Sequence, residues 1–228
     1  CSKVAARAAM ERAGVPIIPG SQGNLPTVGD ALKAANTLGY PVMLKATHGG
    51  GGRGMRICHD AADIENQFER VQSEAHKAFG DAHIYMEKFI KNPRHIEVQI
   101  LADTHGNIVH LFERDCSIQR RHQKMVEIAP AIELNAKTRQ QLRDYALLAA
   151  QNVSYTSAGT VEFIVDEQSR IYFMEMNTRL QVEHPVTEQI TGIDIVQEQI
   201  LIAQGETLSM TQDAIIPRGF AIEFRINA

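Results

Sequence analysis

Residues 159–184 read GTVEFIVDEQSRIYFMEMNTRLQVEH. Two alternating apolar runs flank the polar cluster Glu167-Gln168-Ser169-Arg170, the pattern of a β-hairpin. A turn centred between Gln168 and Ser169 sets Glu162 directly opposite Glu175. Two carboxylates about 5 Å apart repel by roughly 3 kcal/mol at an effective dielectric near 20, so a positive group belongs between them. Lys or Arg would serve. A hard divalent cation serves as well, because Asn177 continues the same face and adds a third oxygen, which favours the metal. Within EMNTRLQVEH, residues 175–184, Glu175, Asn177, Arg179, Gln181 and Glu183 take every second position, so an extended chain gathers all five on one face.

Around this hairpin lies an ordinary globular sequence of 228 residues, 44% hydrophobic, with a net charge of -4. That length supports a sizeable core in one or two domains. The acidic balance argues against a general nucleic-acid surface. No apolar run approaches a membrane span and no signal peptide opens the chain, which points to the cytoplasm, with an organelle matrix (mitochondrial) as the alternative. Cys1, Cys58 and Cys116 are too far apart for a local metal or redox motif and read as free thiols. The chain starts in helical sequence and stops at AIEFRINA in a strand, so both ends read as cut from something longer.

The patterning predicts an α+β fold. Residues 2–13 have helical composition; Thr27 with Asp30 opens a second helix that ends near Gly39; Asp60 with Asp63 opens a third. PVMLKA, MRIC and HIYMEKF are short strands of a first module. After KNPR come long alternating strands, HIEVQILAD and IVHLFERDCS, joined by a THGN turn. A helix from Asn135 to about Asn152 follows, then the 159–177 hairpin, then an amphipathic helix in GIDIVQEQILIAQG.

Two further segments carry chemistry. Lys45 ends a strand and is followed by His48-Gly49-Gly50-Gly51-Gly52-Arg53-Gly54, where consecutive glycines let backbone N–H groups approach phosphate oxygens. A plain flexible hairpin loop is the other reading; neither the Walker nor the dinucleotide pattern is met. ERDCSIQRRHQK, residues 113–124, reads as a loop with Arg114, Arg120, Arg121, His122 and Lys124 beside Gln119. Without interleaved aromatics it suits a small anion better than nucleic acid.

Together, KATHGGGGRGM, YMEKFIKNPRHIEVQI, ERDCSIQRRHQK, GTVEFI and EMNTRLQVEHPVTE with FRINA resemble the biotin carboxylase component of biotin-dependent carboxylases, an ATP-grasp family. The resemblance runs through nearly the whole chain. It implies residues 1–19 as a connecting helix from a missing N-terminal domain, 20–90 as the small lid, and 91–228 as an incomplete larger mixed-sheet domain, with ATP held between lid and larger domain. Lys45, Lys3 and Gly50, Gly51 and Gly52 then meet nucleotide phosphates. Glu87, Lys88 and Ile90 form the adenine hinge, and Met55, Ile164 and Met174 its walls. His95, Gln119 and His122 neighbour the nucleotide.

On the same resemblance, Glu162 and Glu175 ligate Mg²⁺ or Mn²⁺ with Asn177 beside them. Arg179, Gln181, Val182 and Glu183 with Lys124 form the bicarbonate pocket, and Arg225 steadies the biotin enolate. The implied reaction is ATP-dependent carboxylation of biotin by bicarbonate through carboxyphosphate, with Glu183 as base. The implied partners are a biotin carboxyl carrier domain and a carboxyltransferase domain or subunit, in a homo-oligomer. Other readings are a carbamoyl-phosphate-type ATP-grasp ligase or a non-catalytic nucleotide-binding fragment. The loop departs from that resemblance at Thr47-His48, before the glycines, where many relatives carry smaller residues.

Overall fold

The computed structural model describes residues 3–47, 54–121 and 123–226, apart from the side chains of Lys3 and Val4. Gly50, Gly51, Gly52 and His122, all expected at the nucleotide, lie outside the described residues, as does the side chain of Lys3. Two compact units are present, Cys1–Ala8 with Ile18–Lys91, and Ala9–Ile17 with Asn92–Ala228. Helix α1 (Lys3–Arg12) is divided between them.

In the first unit, helices α2 (Val28–Leu38) and α3 (Ala61–Phe79) start and stop where their caps dictate. The Thr27 and Asp60 side chains accept from Asp30 N and Asp63 N, at 3.2 and 2.9 Å, and Gly39 and Gly80 close the ends. Strands β1 (Val42–Ala46), β2 (Met55–Cys58) and β3 (Ile84–Lys88) form an antiparallel sheet in the order β2-β1-β3. Ile64, Phe68, Val71 and Ala75 line one buried stripe of α3, and the first three pack with Val42 and Leu44 of β1. Burying each large apolar side chain here contributes about 1.5–3 kcal/mol. Lys45 sits between buried Leu44 and Ala46 and so points away from this core.

The second unit is a six-stranded antiparallel sheet ordered β8-β7-β4-β5-β6-β9. Its strands are β4 (Arg94–Ala102), β5 (Ile108–Arg120), β6 (Gln123–Ala129), β7 (Ser157–Val165), β8 (Ile171–Asn177) and β9 (Ala221–Phe224). Helices α4 (Ala136–Asn152), α5 (His184–Thr191) and α6 (Ile195–Ala203) complete it. Glu113 on β5 ion-pairs with Arg139 and Arg143 of α4, whereas its neighbour Arg114 bonds Thr187 of α5. Adjacent strand residues point to opposite faces, so α4 covers one face and α5 the other. Among the described residues no helix is long and apolar enough to cross a membrane.

Several expectations are corrected. The basic segment is no loop: β5 runs to Arg120, and β6, unread in the sequence, pairs back onto it. The long alternating strands carry buried polar residues on both sides of the sheet, Glu97, Gln99 and Arg114 on one and Glu113 on the other. The extended reading of 175–184 holds only to Asn177, after which the chain loops and α5 begins at His184. The turn of the β7–β8 hairpin centres on Gln168, not between Gln168 and Ser169: Val165 pairs with Ile171 and Ser169 takes φ 60°. An unpaired Met174 then shifts the register by one residue, which restores Glu162 opposite Glu175. The expected pair is present, but a bulge produces it.

Candidate active site

The face of the second unit's sheet that receives α5 is polar at its centre. His95, Glu97 and Gln99 alternate along β4, and β4 aligns Glu97 with Glu162 of β7 on one side and Arg114 of β5 on the other. Arg114 reaches this position through a bulge: Leu111 and Phe112 together oppose Gln99, with Phe112 at φ 66°. Without the extra residue Glu113 would face Glu97, setting like charges side by side. With it, Arg114 Nε donates to Glu97 Oε1 at 2.5 Å, Nη1 to Gln99 Oε1 and Thr187 Oγ1 at 2.8 and 2.9 Å, and Nη2 to Thr160 Oγ1 and Gln181 Oε1 at 3.3 and 3.4 Å.

Lys124 on β6 stands beside this guanidinium and bonds three carboxylates: Glu97 Oε2 at 2.5 Å, Glu162 Oε1 at 2.9 Å and Glu183 Oε1 at 2.6 Å. Burial alone would lower its pKa, yet the carboxylates raise it, so the ammonium stays charged. Glu162 Oε1 also accepts from Asn177 Nδ2 at 2.8 Å and Gln181 Nε2 at 2.9 Å, and its Oε2 meets His95 Nε2 at 2.8 Å. Burial would raise its pKa, but His95 and Lys124 outweigh it and hold the carboxylate ionised. Gln119 fixes the far side of His95, 2.8 Å from Nδ1.

Glu183 precedes α5 and is held between two cations. Its Oε1 takes Lys124 and its Oε2 takes Arg225 Nη2 at 2.8 Å. Burial would raise its pKa, but Lys124 outweighs it, so the group is a carboxylate across neutral pH. Arg225 also lies 2.7 Å from buried Glu127 through Nε, a contact misaligned for a hydrogen bond and therefore ionic. Burial pushes the Glu127 carboxyl up. Val182 is exposed, and so is Arg179, whose guanidinium donates to Leu180 O at 3.1 Å outside the network.

The structure thus brings together Lys124, Glu162, Asn177, Gln181, Glu183, Arg225, His95 and Gln119. Glu175 is Glu162's cross-strand neighbour. These oxygens suit a hard divalent cation, provided Asn177 turns its amide oxygen inward and Glu162 sheds a hydrogen bond. In the first unit, Lys45 is ion-paired with Glu87, which also takes Arg7. Lys88 Nζ is tied to Gly39 O and Tyr40 O at 2.8 and 3.0 Å. Ile90 and Met55 are half-buried in that unit, and Ile164 and Met174 are half-buried in the second. Sequence reasoning missed Glu97, Gln99, Thr160, Thr187 and Glu127. The alternation in HIEVQI, the same signal that singled out 175–183, marks the first two.

Residues 2–211 match the sequence profile of the carbamoyl-phosphate synthase L chain ATP-binding domain, and the chain belongs to that family. Its fold is the ATP-grasp fold of biotin carboxylases. The biotin carboxylase of Nostoc sp. strain PCC 7120 is 55% identical over 226 residues, which is 99% of this chain and 51% of that protein. The crystal structure of a biotin carboxylase–β,γ-ATP complex from Campylobacter jejuni matches at a TM-score of 0.95 and 52% identity, over 98% of this chain and 50% of that one. The biotin carboxylase domain dimer of Hydrogenobacter thermophilus 2-oxoglutarate carboxylase, in complex with MgADP, ADP and bicarbonate, matches at a TM-score of 0.95 and 53% identity, over 100% of this chain and 50% of that one. The chain spans about half the length of such relatives.

Proposed function

We propose that the chain carries out the ATP-dependent carboxylation of biotin by bicarbonate. The observation that carries this reading is the position of Glu183, a buried carboxylate between Lys124 and Arg225 at the start of α5. Two cations held beside a carboxylate make a pocket for an anion, with a base already inside it.

In this reading Glu183 takes the proton of bicarbonate, and the freed oxygen attacks the γ-phosphorus of ATP, expelling ADP. The product, carboxyphosphate, passes its carboxyl group to a biotin nitrogen as its bond to phosphate breaks, and the released phosphate takes the proton that this nitrogen loses. Lys124 holds the anion against Glu183, and Arg179 swings in from solvent to add a planar donor fork. Arg225 steadies the enolate oxygen of biotin's ureido group. A divalent metal held by Glu162 and Glu175, with Asn177 alongside, supplies neutralisation of phosphate charge. Lys45 leaves Glu87 to meet the nucleotide phosphates. A biotin carrier domain delivers the biotin, a carboxyltransferase consumes the carboxybiotin, and the protein works as a homo-oligomer.

The test is the intact protein with ATP, Mg²⁺, varied bicarbonate and free biotin. Glu183→Gln keeps the shape but loses the base, so bicarbonate-dependent ATP cleavage and biotin carboxylation fall together by about 10²- to 10⁴-fold, with ATP binding unchanged. Arg179→Lys raises the bicarbonate KM, because an ammonium keeps the charge without the fork. Near-normal carboxylation by Glu183→Gln rules out this base, and ATP cleavage that never transfers carboxyl to biotin rules out this acceptor.

A further inference from the structure

Lys124 occupies ground that a metal needs. Its Nζ is 2.9 Å from Glu162 Oε1, and that oxygen already accepts from Asn177 Nδ2 and Gln181 Nε2 at 2.8 and 2.9 Å. A carboxylate oxygen offers about two lone-pair sites, and three donors fill it. A divalent ion therefore reaches this oxygen only by displacing a donor. Asn177 and Gln181 are neutral amides that can turn and leave their own charge balance intact. Lys124 is a like charge that a dication repels directly.

The ammonium has somewhere to go. Glu97 Oε2 at 2.5 Å and Glu183 Oε1 at 2.6 Å anchor it away from Glu162, so losing the Glu162 contact leaves Lys124 paired. Glu183 is the group placed above at the bicarbonate pocket. We propose that Lys124 is a resident cation which a divalent metal displaces from Glu162, and that the displaced ammonium, still held by Glu97 and Glu183, becomes the cationic wall of the anion pocket. Metal loading and bicarbonate binding are then positively coupled through one side chain. The step exchanges ion pairs; no proton moves. It rests on the function proposed above only for the identities of the two ligands.

The coupling is reciprocal, so it is read from equilibrium binding alone. Mg²⁺, without nucleotide, is titrated into the intact protein with and without saturating bicarbonate, and the Lys124 Nζ resonance is followed by ¹⁵N NMR. In the wild-type protein the resonance shifts on Mg²⁺ addition, and bicarbonate tightens Mg²⁺ binding by about fivefold or more, the lower end of ordinary allosteric couplings. Lys124→Met binds Mg²⁺ more tightly than wild type in the absence of bicarbonate, because the competitor is gone, and shows no bicarbonate effect. A scaffolding role alone predicts looser binding in the variant. A bicarbonate effect that survives in Lys124→Met overturns the proposal. Should that variant not fold, an unmoved Lys124 resonance in the wild-type protein overturns it equally. None of these readouts involves turnover, so failed biotin carboxylation with the coupling intact removes the reaction and leaves the exchange standing.

Discussion

Arg114 has no solvent-exposed surface, and its five N–H bonds all meet acceptors on one face of the sheet. Its charge offsets Glu97, which shares its other oxygen with Lys124. No other side chain can replace it. An ammonium has three donors and no planar fork, so Arg114→Lys leaves buried amide and hydroxyl acceptors empty, and Arg114→Met leaves a carboxylate under-compensated. Removing one partner of a buried pair costs about 3–5 kcal/mol, so both variants lower the urea midpoint by that equivalent at an unchanged slope. A loss under about 1 kcal/mol in both would show that the guanidinium does not hold this face together. In the sequence Arg114 reads as one of several cations in a basic loop. Its burial follows from a register that composition does not encode.

At the scale of elements, what was legible is what is encoded locally. The Thr27–Asp30, Asp60–Asp63 and Asn135 starts each rest on one side chain reaching a backbone N–H three residues on, and the structure has all three. What was not legible depends on partners far along the chain. The bulges at Phe112 and Met174 insert single residues whose only trace is a register shift, and β6 looks like a loop because its Lys124 and Glu127 serve the site and not the strand pattern. Arg179, Gln181 and Glu183 alternate in sequence but sit on a loop and a helix start, so their common face is not a strand's. The corrected hairpin turn is testable. Ser169 is exposed at φ 60°, a left-handed conformation that costs a non-glycine residue roughly 1–2 kcal/mol. Ser169→Gly removes that strain at a smaller entropic cost, so it should stabilise the protein by up to about 1 kcal/mol. Destabilisation by that amount would contradict the left-handed turn.

For the whole molecule, buried titratable groups set how stability follows pH, and two of them in the second unit act in separate windows. Burial, with Arg143 alongside, pushes His110 down to about 4. Its ring packs edge-on against Phe112, and Asp144 opposes the shift only in part. An unfolded histidine titrates near 6.5, so between that pH and about 4 the unfolded chain binds a proton that the folded chain refuses. Stability is therefore full above about 6.5 and falls as pH drops toward 4, by at most about 3 kcal/mol from this residue. Asp103 acts lower. Burial would raise it, but Asn107 Nδ2 and the backbone N–H groups of Leu208, Asn107 and His105 outweigh burial and hold it at about 2. Its contribution is full above the ordinary aspartate value and is lost as pH falls from about 4 to about 2. Urea midpoints for wild type, His110→Gln and Asp103→Asn at pH 7.5, 5.5, 4.5 and 3 separate the two. His110→Gln should flatten the curve between 6.5 and 4 and leave the lower limb intact. Asp103→Asn should cost stability already at neutral pH, because four donors lose a charged acceptor, and flatten only the limb below 4. If the His110→Gln curve runs parallel to wild type across 6.5 to 4, the histidine is not held neutral in the folded protein and the first window belongs to another group.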